Sequence, residues 1–344
     1  MAKKVLVAMS GGVDSTYSAI FLKEQGYDIT GVTFKINECE ATIQQVKDAK
    51  KVCDYLKIEH VIVDFTDTFN EKVIKYFVDS YKEGITPNPC VICNKEIKFG
   101  ELNKIRKKLG CDYIATGHYA RCEKIEEEYY IKKAVYLKKD QSYFLNQISK
   151  EVLPFIIFPL GQVESKEYVR EYLNARNIEI ANKKESQEIC FVENDNLKAF
   201  LSEYIKPKEG NIIDEQGIIK GVHEGSNYYT IGQRRGLGVS NKEPLYVLNT
   251  DISKNIVYVG TQKSLFKNKV TIKNINVLSK KLLENKEKLY GRTRYRSKDT
   301  KIKEIKVHKN TADVIFCDDI RSIARGQFLV VYNQDNVVLG GQII

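Results

Sequence analysis

Ser10-Gly11-Gly12-Val13-Asp14-Ser15 (SGGVDS) is the stretch that decides the fold, together with the segments on either side of it. The apolar run Lys3–Ala8 before it predicts a buried strand, and the apolar spacing of Ser15–Gln25 after it predicts a helix. Two adjacent glycines let the backbone turn sharply and approach a ligand closely. Backbone N–H groups at a helix N-terminus favour a phosphate group. The stretch therefore predicts a phosphate-binding loop.

The polar side chains of this loop add to the prediction. Ser10 and Ser15 supply hydroxyl donors, and Asp14 is either a ligand of Mg²⁺ bound to phosphates or a cap of the helix. The alternative is an ordinary turn from a strand to a helix. The loop is neither a Walker A motif nor a GxGxxG motif. Gly236-Leu237-Gly238 matches the latter only partially and indicates a turn.

Strands and helices alternate through the first half of the chain. The predicted strands are Asp28–Lys35, His60–Asp64 and Asp112–Thr116, and the predicted helices are Gln44–Leu56, Asn70–Tyr81 and Ile97–Leu109. Alternation of this kind is typical of βαβ units, so we expect an α/β fold whose parallel sheet has helices on both faces. Ligands bind at the carboxyl ends of strands in such sheets. The loop, Phe34 and the turn Thr116-Gly117-His118 all fall there.

The second half of the chain has a different pattern. Glycines punctuate short β-prone runs after residue 205, and strands dominate from Leu245 onward, which is typical of small β domains. We expect three domains: an α/β catalytic domain at 1–204, a central β-rich domain at 205–262 and a C-terminal β-barrel at 263–344.

Composition excludes several classes of protein. The 344 residues are 42% hydrophobic and 29% charged, which excludes disordered, collagen-like and low-complexity chains. The longest apolar runs, such as Val152–Leu160, have about half of the ~20 residues that a membrane-spanning helix needs. The N-terminus lacks the apolar region of a secretory signal. We expect a soluble cytoplasmic protein with no membrane partner.

Positive charge is concentrated in one segment. The formal net charge is +10, and residues 261–300 contain twelve Lys/Arg but only three acidic residues, an excess of +9. A local positive field of this size indicates a polyanionic partner such as a nucleic acid. The alternative is a lysine-rich solvated surface, and charge alone favours neither.

Eight cysteines in a cytoplasmic chain of this length do not indicate a disulfide framework. The segment Thr86–Lys95 (TPNPCVICNK) contains Cys90 and Cys93 in C-x-x-C spacing, and we expect a helix to begin at about Lys95. A thiol beside a helix N-terminus and lysines is expected to ionise readily. The pair is a zinc half-site, a redox pair or a chance occurrence, with Cys190 as its distant partner. We expect structural roles for the other five: Cys39, Cys53, Cys111, Cys122 and Cys317.

Several further motifs occur together with these two. Their order along the chain is SGGVDS, TPNPCVICNKEIKFG (86–100), ATGHYAR (115–121), KDQSYFL (139–145), FPLG (158–161), ESQEICF (185–191), YYTIGQRRGLG (228–238) and RTRYR (292–296). The set resembles the bacterial tRNA-specific 2-thiouridylases, which belong to the PP-loop ATP pyrophosphatase superfamily. The resemblance covers essentially the whole chain and implies an adenine-nucleotide α-hydrolase-like (PP-loop) fold for the N-terminal domain.

The resemblance implies a reaction. ATP adenylates the C2 oxygen of the wobble uridine in glutamate, glutamine and lysine tRNAs, and sulfur replaces that oxygen with release of AMP and pyrophosphate. A persulfide on Cys190 supplies the sulfur, Cys93 is the nucleophile or the resolving thiol, and the two cysteines form a disulfide. A sulfur-relay protein or a cysteine desulfurase is the implied persulfide donor.

The resemblance also assigns binding residues. The implied ATP-binding residues are Ala8, Met9, Ser10, Gly11, Gly12, Val13, Asp14, Ser15, Phe34 and Gly117. The implied tRNA-binding residues are His118, Lys139, Asp140, Gln141, Arg294, Tyr295, Arg296 and Gln327. Without the motifs, His118 would be interpreted as a core histidine, Lys139–Gln141 as a turn and Arg294–Arg296 as a solvated strand face.

One position departs from the family pattern. The resemblance implies that Asn88-Pro89-Cys90 forms the loop near the target base, and the family has an aspartate where this chain has Cys90. The departure creates a set of three thiols, Cys90, Cys93 and Cys190, which could bind a [4Fe–4S] cluster with one open iron for sulfide. Two routes of sulfur transfer therefore stay open, one through a cluster and one through a Cys93–Cys190 disulfide.

Two other functions stay open beside the thiouridylase. The first is another ATP-dependent ligase of the PP-loop superfamily, and the second is a nucleotide-gated RNA-binding protein or iron–sulfur sensor without turnover. Release of pyrophosphate that depends on tRNA would separate the three.

Overall fold

The computed structural model describes residues 2–183, 189–192 and 196–344, and the chain divides into two compact units. The first unit contains residues 1–73, 90–187 and 335–337, and the second contains residues 74–89, 188–334 and 338–344. Within the described ranges, no helix is both long enough and apolar enough to cross a bilayer. Residues 184–188, which begin with the last residue before the ESQEICF motif and include its first four, lie outside the described residues.

The first unit is built on a parallel sheet. The strands of this part of the chain are β1 (Lys4–Ala8), β2 (Asp28–Lys35), β3 (Glu59–Asp64), β4 (Tyr113–Ala115), β5 (Ala120–Ile125), β6 (Glu128–Lys133) and β7 (Ile156–Ile157). Five of them pair in parallel in the order β3-β2-β1-β4-β7, and β5 and β6 form an antiparallel hairpin. The predicted α/β fold with a parallel sheet is confirmed.

Helices cover this sheet. The helices up to residue 174 are α1 (Val13–Glu24), α2 (Glu40–Leu56), α3 (Thr66–Phe69), α4 (Lys75–Lys82), α5 (Pro89–Cys93), α6 (Leu102–Lys108) and α7 (Lys166–Asn174). Of these, α4 belongs to the second unit and is not part of the cover of this sheet. Apolar residues of α1, α2 and α7 pack with β1 and β2 in one buried core, which includes Val5, Tyr17, Val52 and Val169. This core fixes the end of β1 and the start of α1, where the SGGVDS loop lies.

The helix that follows the C-x-x-C pair begins earlier than predicted. We expected it at about Lys95, but α5 begins at Pro89 and continues into a π-helical stretch at Asn94–Glu101. Proline suits the first helical position because its missing N–H has no intrahelical acceptor there. Cys90 therefore lies in the first turn of the helix and Cys93 at the end of α5, rather than both preceding a helix.

The second unit contains a four-stranded sheet and a β-barrel. Its elements after residue 196 are α8 (Leu197–Ser202), β8 (Gly210–Asp214), β9 (Ile219–His223), β10 (Tyr246–Asp251), β11 (Ile256–Gly260), β12 (Phe266–Val277), α9 (Lys280–Glu284), β13 (Leu289–Arg292), β14 (Thr300–Val307), β15 (Thr311–Arg321), β16 (Phe328–Asn333) and β17 (Asn336–Ile343). Strands β8–β11 form one sheet in the order β10-β11-β8-β9 around Ile212, Val247 and Val257.

The last six strands close into a barrel. They pair in the order β12-β15-β14-β13-β16-β17, and β17 pairs back onto β12, so the barrel has no open edge. Buried side chains such as Ile272, Val314, Phe316 and Val331 fill its interior. The predicted C-terminal β-barrel is confirmed.

Candidate active site

The predicted phosphate loop has an unusual backbone conformation at Gly11. Gly11 has φ = +61°, and a Cβ built on it would lie 2.6 Å from Asp48 Cβ and 2.8 Å from the backbone oxygen of Gln45. The loop therefore packs so tightly against α2 that only glycine fits. Gly12 is the N-cap of α1 and makes no side-chain capping hydrogen bond, so the first N–H groups of α1 are left for a ligand. Gly11, Gly12 and the first N–H groups of α1 together form a glycine cradle. This cradle fits a phosphate chain such as that of ATP.

We predict that Gly11→Ala destabilises the protein and weakens ATP binding. The alanine methyl group would overlap Asp48, and left-handed backbone costs a non-glycine residue about 1–3 kcal/mol. The matched control is Gly110→Ala, because Gly110 has φ = +64° but nothing within 4 Å of its Cβ position. Chemical denaturation and ATP titration check both variants. Equal loss of stability in the two variants would show that the contact with α2 is unimportant.

Asp14 belongs to a partly buried polar cluster that the sequence did not reveal. Its Oδ1 accepts hydrogen bonds from Lys166 Nζ at 2.6 Å and from the Tyr119 hydroxyl at 2.9 Å. Lys166 is buried and is the first residue of α7, where the positive end of the helix dipole disfavours a cation. A buried ammonium in such a position indicates a functional site. The Asp14 side chain is about one-third exposed, so the pair lies at the edge of the loop.

A second lysine, Lys183, contacts the same loop. Lys183 Nζ lies 2.6 Å from Asp48 Oδ2 and 3.3 Å from the backbone oxygen of Gly11. Burial raises the pKa of the Asp48 carboxyl group, but its hydrogen bonds with Lys183 and Gln44 and the nearby positive charges outweigh burial, so the net effect lowers that pKa. Two ammonium groups therefore lie beside the SGGVDS loop, and each contacts a carboxylate.

Other predicted nucleotide-binding residues surround the loop. A Cβ on Gly117 would lie 3.0 Å from the backbone of Asp14 and Ser15, so this turn packs directly against the first turn of α1. Ser15 Oγ accepts the backbone N–H of Ser10 and donates to the carbonyl of Gly12, which stabilises the loop internally. Phe34, at the end of β2, is half-buried and packs edge-on against Phe65. Ala8 and Met9 lead into the loop, and Met9 is buried.

His118 and the Lys139–Gln141 segment have internal partners in the first unit. His118 is buried, its Nδ1 lies 2.7 Å from Thr116 Oγ1, and burial lowers its pKa well below the usual range. The buried Asp140 carboxylate accepts the backbone N–H groups of Ala134 and Ser142, and Gln141 Oε1 accepts the N–H of Tyr119. These contacts stabilise the fold around the site, and tRNA contacts for these residues stay a prediction.

The three cysteines with predicted roles differ in exposure. Cys90 is exposed and Cys93 is half-buried on α5, and Cys190 is exposed in the second unit. Phe191, next to Cys190, is buried and packs against Phe77 and Phe200 with ring centroids 5.1 and 5.4 Å apart. The neighbouring aromatic cluster thus anchors the turn that presents Cys190 to solvent. An exposed thiol suits the acceptance of sulfur from a donor.

The five cysteines predicted to be structural differ in their burial. Burial raises the pKa of Cys53 to about 11 and that of Cys122 to about 12, and it also raises the pKa of the buried Cys111. These three thiols stay protonated at neutral pH, as structural cysteines should. Cys39 is half-buried at the N-cap of α2, and Cys317 is exposed on β15. Across the described ranges, no group of three or more His, Cys, Asp or Glu side chains is arranged to hold a metal ion.

The basic segment lies on the second unit and is mostly exposed. Ten of the twelve cations are exposed: Lys263, Lys267, Lys269, Lys273, Lys280, Lys281, Lys286, Lys288, Arg296 and Lys298. The other two have protein contacts, because Arg292 Nε lies 2.7 Å from Asp299 Oδ1 and the Arg294 guanidinium donates to the Ile231 carbonyl. Tyr295 is half-buried beside the exposed Arg296. Gln327 also has protein contacts, since its amide donates to the carbonyls of Thr86 and Pro87.

The parallel sheet, the glycine cradle after β1 and the closed C-terminal barrel define the chain as a nucleotide-dependent α/β enzyme with β domains. Three family models match consecutive parts of it. The tRNA methyl transferase HUP domain matches residues 3–194, the tRNA methyl transferase PRC-barrel domain matches residues 198–261, and the aminomethyltransferase β-barrel domain matches residues 267–344.

Curated relatives match over the whole length. The tRNA-specific 2-thiouridylase MnmA of Clostridioides difficile is 40% identical over 100% of this chain and 98% of its own, and that of Persephonella marina is 43% identical over 99% of both chains. The chain belongs to the tRNA-specific 2-thiouridylase MnmA family. Among solved structures, the U34-tRNA thiolase NcsA from Methanococcus maripaludis, with its [4Fe–4S] cluster, is 21% identical over 58% of this chain and 64% of that chain, with a TM-score of 0.38. A likeness this weak gives no information about the cofactor of this chain.

Proposed function

We propose that this chain is a tRNA-uridine 2-sulfurtransferase that replaces the C2 oxygen of the wobble uridine with sulfur at the expense of ATP. The substrates are the glutamate, glutamine and lysine tRNAs. The single observation that supports this most strongly is the glycine cradle at Gly11 and Gly12 in a full-length member of the MnmA family. The cradle supplies the ATP site, and the exposed thiol of Cys190 supplies a place for transferable sulfur.

The first half of the reaction activates the uridine. Its C2 oxygen attacks the α-phosphorus of ATP, the bond to the β-phosphate oxygen breaks, and pyrophosphate leaves. Backbone N–H groups at the start of α1 and the ammonium groups of Lys166 and Lys183 stabilise the negative charge of the pyrophosphate. Asp14 is the candidate ligand of the Mg²⁺ that accompanies ATP, since Mg²⁺ is commonly held by one carboxylate plus phosphate oxygens. Lys166 contacts that carboxylate, so binding of the metal requires this contact to rearrange.

The second half transfers the sulfur. The terminal sulfur of a Cys190 persulfide attacks C2, and AMP leaves with the former C2 oxygen. The Cys93 thiolate then attacks the sulfur atom of Cys190, which releases 2-thiouridine and forms a Cys93–Cys190 disulfide. A thiol reductant restores both thiols, and a sulfur-relay protein or a cysteine desulfurase then supplies the next persulfide to Cys190.

A [4Fe–4S] cluster on Cys90, Cys93 and Cys190 is the alternative route for sulfur. Cys90 and Cys93 lie in the first unit and Cys190 in the second, and we derive no step through a cluster. Iron and acid-labile sulfide in anaerobically purified protein decide the matter. Iron-free protein with full activity on a persulfide donor supports the thiol route, whereas iron that is lost with activity in Cys90→Ala supports the cluster.

The products formed from ATP test the proposed function. We expect AMP and pyrophosphate in equal amounts, and only when a substrate tRNA is present. Another PP-loop ligase would release pyrophosphate with a small acceptor instead of tRNA, and a nucleotide-gated sensor would bind ATP without turnover. ADP and phosphate would exclude the PP-loop chemistry altogether.

The basic segment is the proposed tRNA-binding surface. Lysine and arginine contacts to phosphate dominate the affinity for RNA and make it dependent on salt. Because A-form RNA has a deep, narrow major groove, the barrel is expected to recognise backbone shape. Tyr295 is the candidate for stacking on an exposed base. We also propose domain limits at 204/205 and 262/263 and a cytoplasmic location, where tRNA and ATP are available.

We predict that Arg296→Ala combined with Lys298→Ala weakens tRNA binding by about 1–3 kcal/mol and lowers the salt slope. Both side chains are exposed, whereas Arg294 contacts Ile231 and is left unchanged to protect the fold. The charge-matched control is Lys107→Ala combined with Lys108→Ala, two exposed residues at the end of α6. Fluorescence titrations over a range of salt concentrations measure the effect. Identical salt slopes for all three proteins would mean that the segment is only a solvated surface.

A further inference from the structure

A turn of the C-terminal barrel contacts the segment that leads into the C-x-x-C helix. The backbone N–H of Thr86 donates to the carbonyl of Arg325 at 3.0 Å. Gln327 Nε2 donates to the carbonyls of Thr86 and Pro87 at 3.1 and 3.0 Å. Residues 322–327 connect β15 to β16, and Gly326 donates its N–H to the carbonyl of Ile343 in β17. The barrel therefore holds the turn, and the turn contacts the segment.

The segment Thr86-Pro87-Asn88-Pro89 cannot satisfy its own backbone groups. Its two prolines have no N–H, so Thr86 and Asn88 are its backbone donors. Thr86 donates to Arg325, and Asn88 donates to the hydroxyl of Tyr76, which also accepts from Gln342 Nε2 of β17 at 3.1 Å. Pro87, Asn88 and Pro89 are buried, so the backbone N–H and C=O groups of this segment cannot bond freely to water. Without protein partners, these polar groups would destabilise the fold.

Gly326 shows how closely the turn approaches. It has φ = +88°, and a Cβ built on it would lie 2.2 Å from Ile85 Cγ2 and 2.7 Å from the carbonyl oxygen of Thr86. The close approach lets the Gln327 amide reach two consecutive carbonyls. An amide nitrogen carries two hydrogens, and the two bonds use both of them.

We propose that Gln327 is a positioning residue for sulfur transfer, since it fixes the carbonyls of Thr86 and Pro87 and so sets where the Pro89–Cys93 helix begins. Cys90 and Cys93 follow this anchored segment directly in the chain. The barrel thus has a second task besides binding tRNA, which is to hold the base of the helix that carries the thiols. This inference rests on the proposed function, because it assigns the thiols of that helix to sulfur transfer.

The test variant is Gln327→Glu, which keeps the shape of the side chain but replaces its two-hydrogen donor with an oxygen that repels both carbonyls. The matched control is Gln334→Glu, the same chemical change at an exposed position in the same barrel. We expect kcat for thiolation to fall at least tenfold in Gln327→Glu, with the KM values for tRNA and ATP changed less than twofold. A rise in the KM for tRNA with unchanged kcat would overturn the proposal and show a direct tRNA contact instead.

A second readout needs neither ATP nor tRNA and therefore does not depend on the proposed function. Alkylation of each cysteine is followed by mass spectrometry in the full-length protein. We expect labelling of Cys93 to accelerate several-fold in Gln327→Glu, while the exposed Cys190 and the buried Cys53 keep their rates. Unchanged labelling of Cys93 would overturn the proposal, and accelerated labelling of Cys53 would show general unfolding instead of local positioning. If Gln327→Glu does not fold, Tyr76→Phe removes one hydroxyl from the same network and should accelerate Cys93 labelling to a smaller extent.

Discussion

We expect Cys93→Ala and Cys190→Ala each to abolish thiolation of tRNA, with a loss of at least about a thousandfold in rate. The reason is that thiolates are the groups that accept, hold and release sulfur, and no other side chain replaces them. Liquid chromatography and mass spectrometry of digested tRNA measures 2-thiouridine directly. The matched control is Cys317→Ala, which removes an exposed thiol on β15 and should leave the rate unchanged.

The two cysteine variants should keep the first half of the reaction. Adenylation uses the SGGVDS loop and needs no thiol, so tRNA-dependent release of pyrophosphate should continue for at least one turnover. Full thiolation by the Cys190→Ala protein would contradict the persulfide assignment. Loss of pyrophosphate release in either variant would show that the thiols also shape the ATP site.

Lys166→Met has the second-largest expected effect, a loss of pyrophosphate release of at least about a hundredfold. The variant removes a buried ammonium 2.6 Å from Asp14, beside the loop that binds the phosphates. The loss of one preorganised charge donor commonly costs an enzyme about 10²–10³ in rate. Titration with ATP and with AMP should show weaker binding of ATP and nearly unchanged binding of AMP, since AMP lacks the β- and γ-phosphates.

A second variant separates this effect from folding. Lys166 is buried and Asp14 is partly exposed, so removing either member of this ion pair leaves the other charge without its partner, which is itself destabilising. Asp14→Asn combined with Lys166→Met removes both charges, so it should melt close to the wild type and still fail to release pyrophosphate. Wild-type ATP affinity in a folded double variant would mean that the pair only stabilises the unit.

Local sequence patterns predicted much of this architecture. The apolar runs at Lys4–Ala8 and Asp28–Lys35 and the glycine pair between a strand and a helix are short-range signals, and the sheet and loop follow from them. The barrel followed from closely spaced short strands after Leu245. The helix was predicted to begin at about Lys95 and begins at Pro89, because proline is a favoured first helical residue.

Long-range contacts account for what the sequence did not reveal. Lys166 is 152 residues from Asp14, and no local pattern marks a lysine at the start of α7 as buried. The contact of Gln327 with Thr86 spans 241 residues and depends on how the barrel closes. The internal hydrogen bonds of Asp140 were not predicted, since the sequence alone indicated only a turn at Lys139–Gln141. The resemblance assigned Asp140 and Gln327 to tRNA binding and did not mark Lys166, and only the structure shows which atoms these three side chains contact.

The most direct measurement of the central claim follows both products of one reaction. Purified protein is mixed with ATP, Mg²⁺, a persulfide donor and unmodified glutamate tRNA, and 2-thiouridine at the wobble position is counted against pyrophosphate. The proposed function predicts one 2-thiouridine for each pyrophosphate and none with a tRNA that lacks the wobble uridine. Pyrophosphate release without 2-thiouridine, or 2-thiouridine formed without ATP, would contradict it.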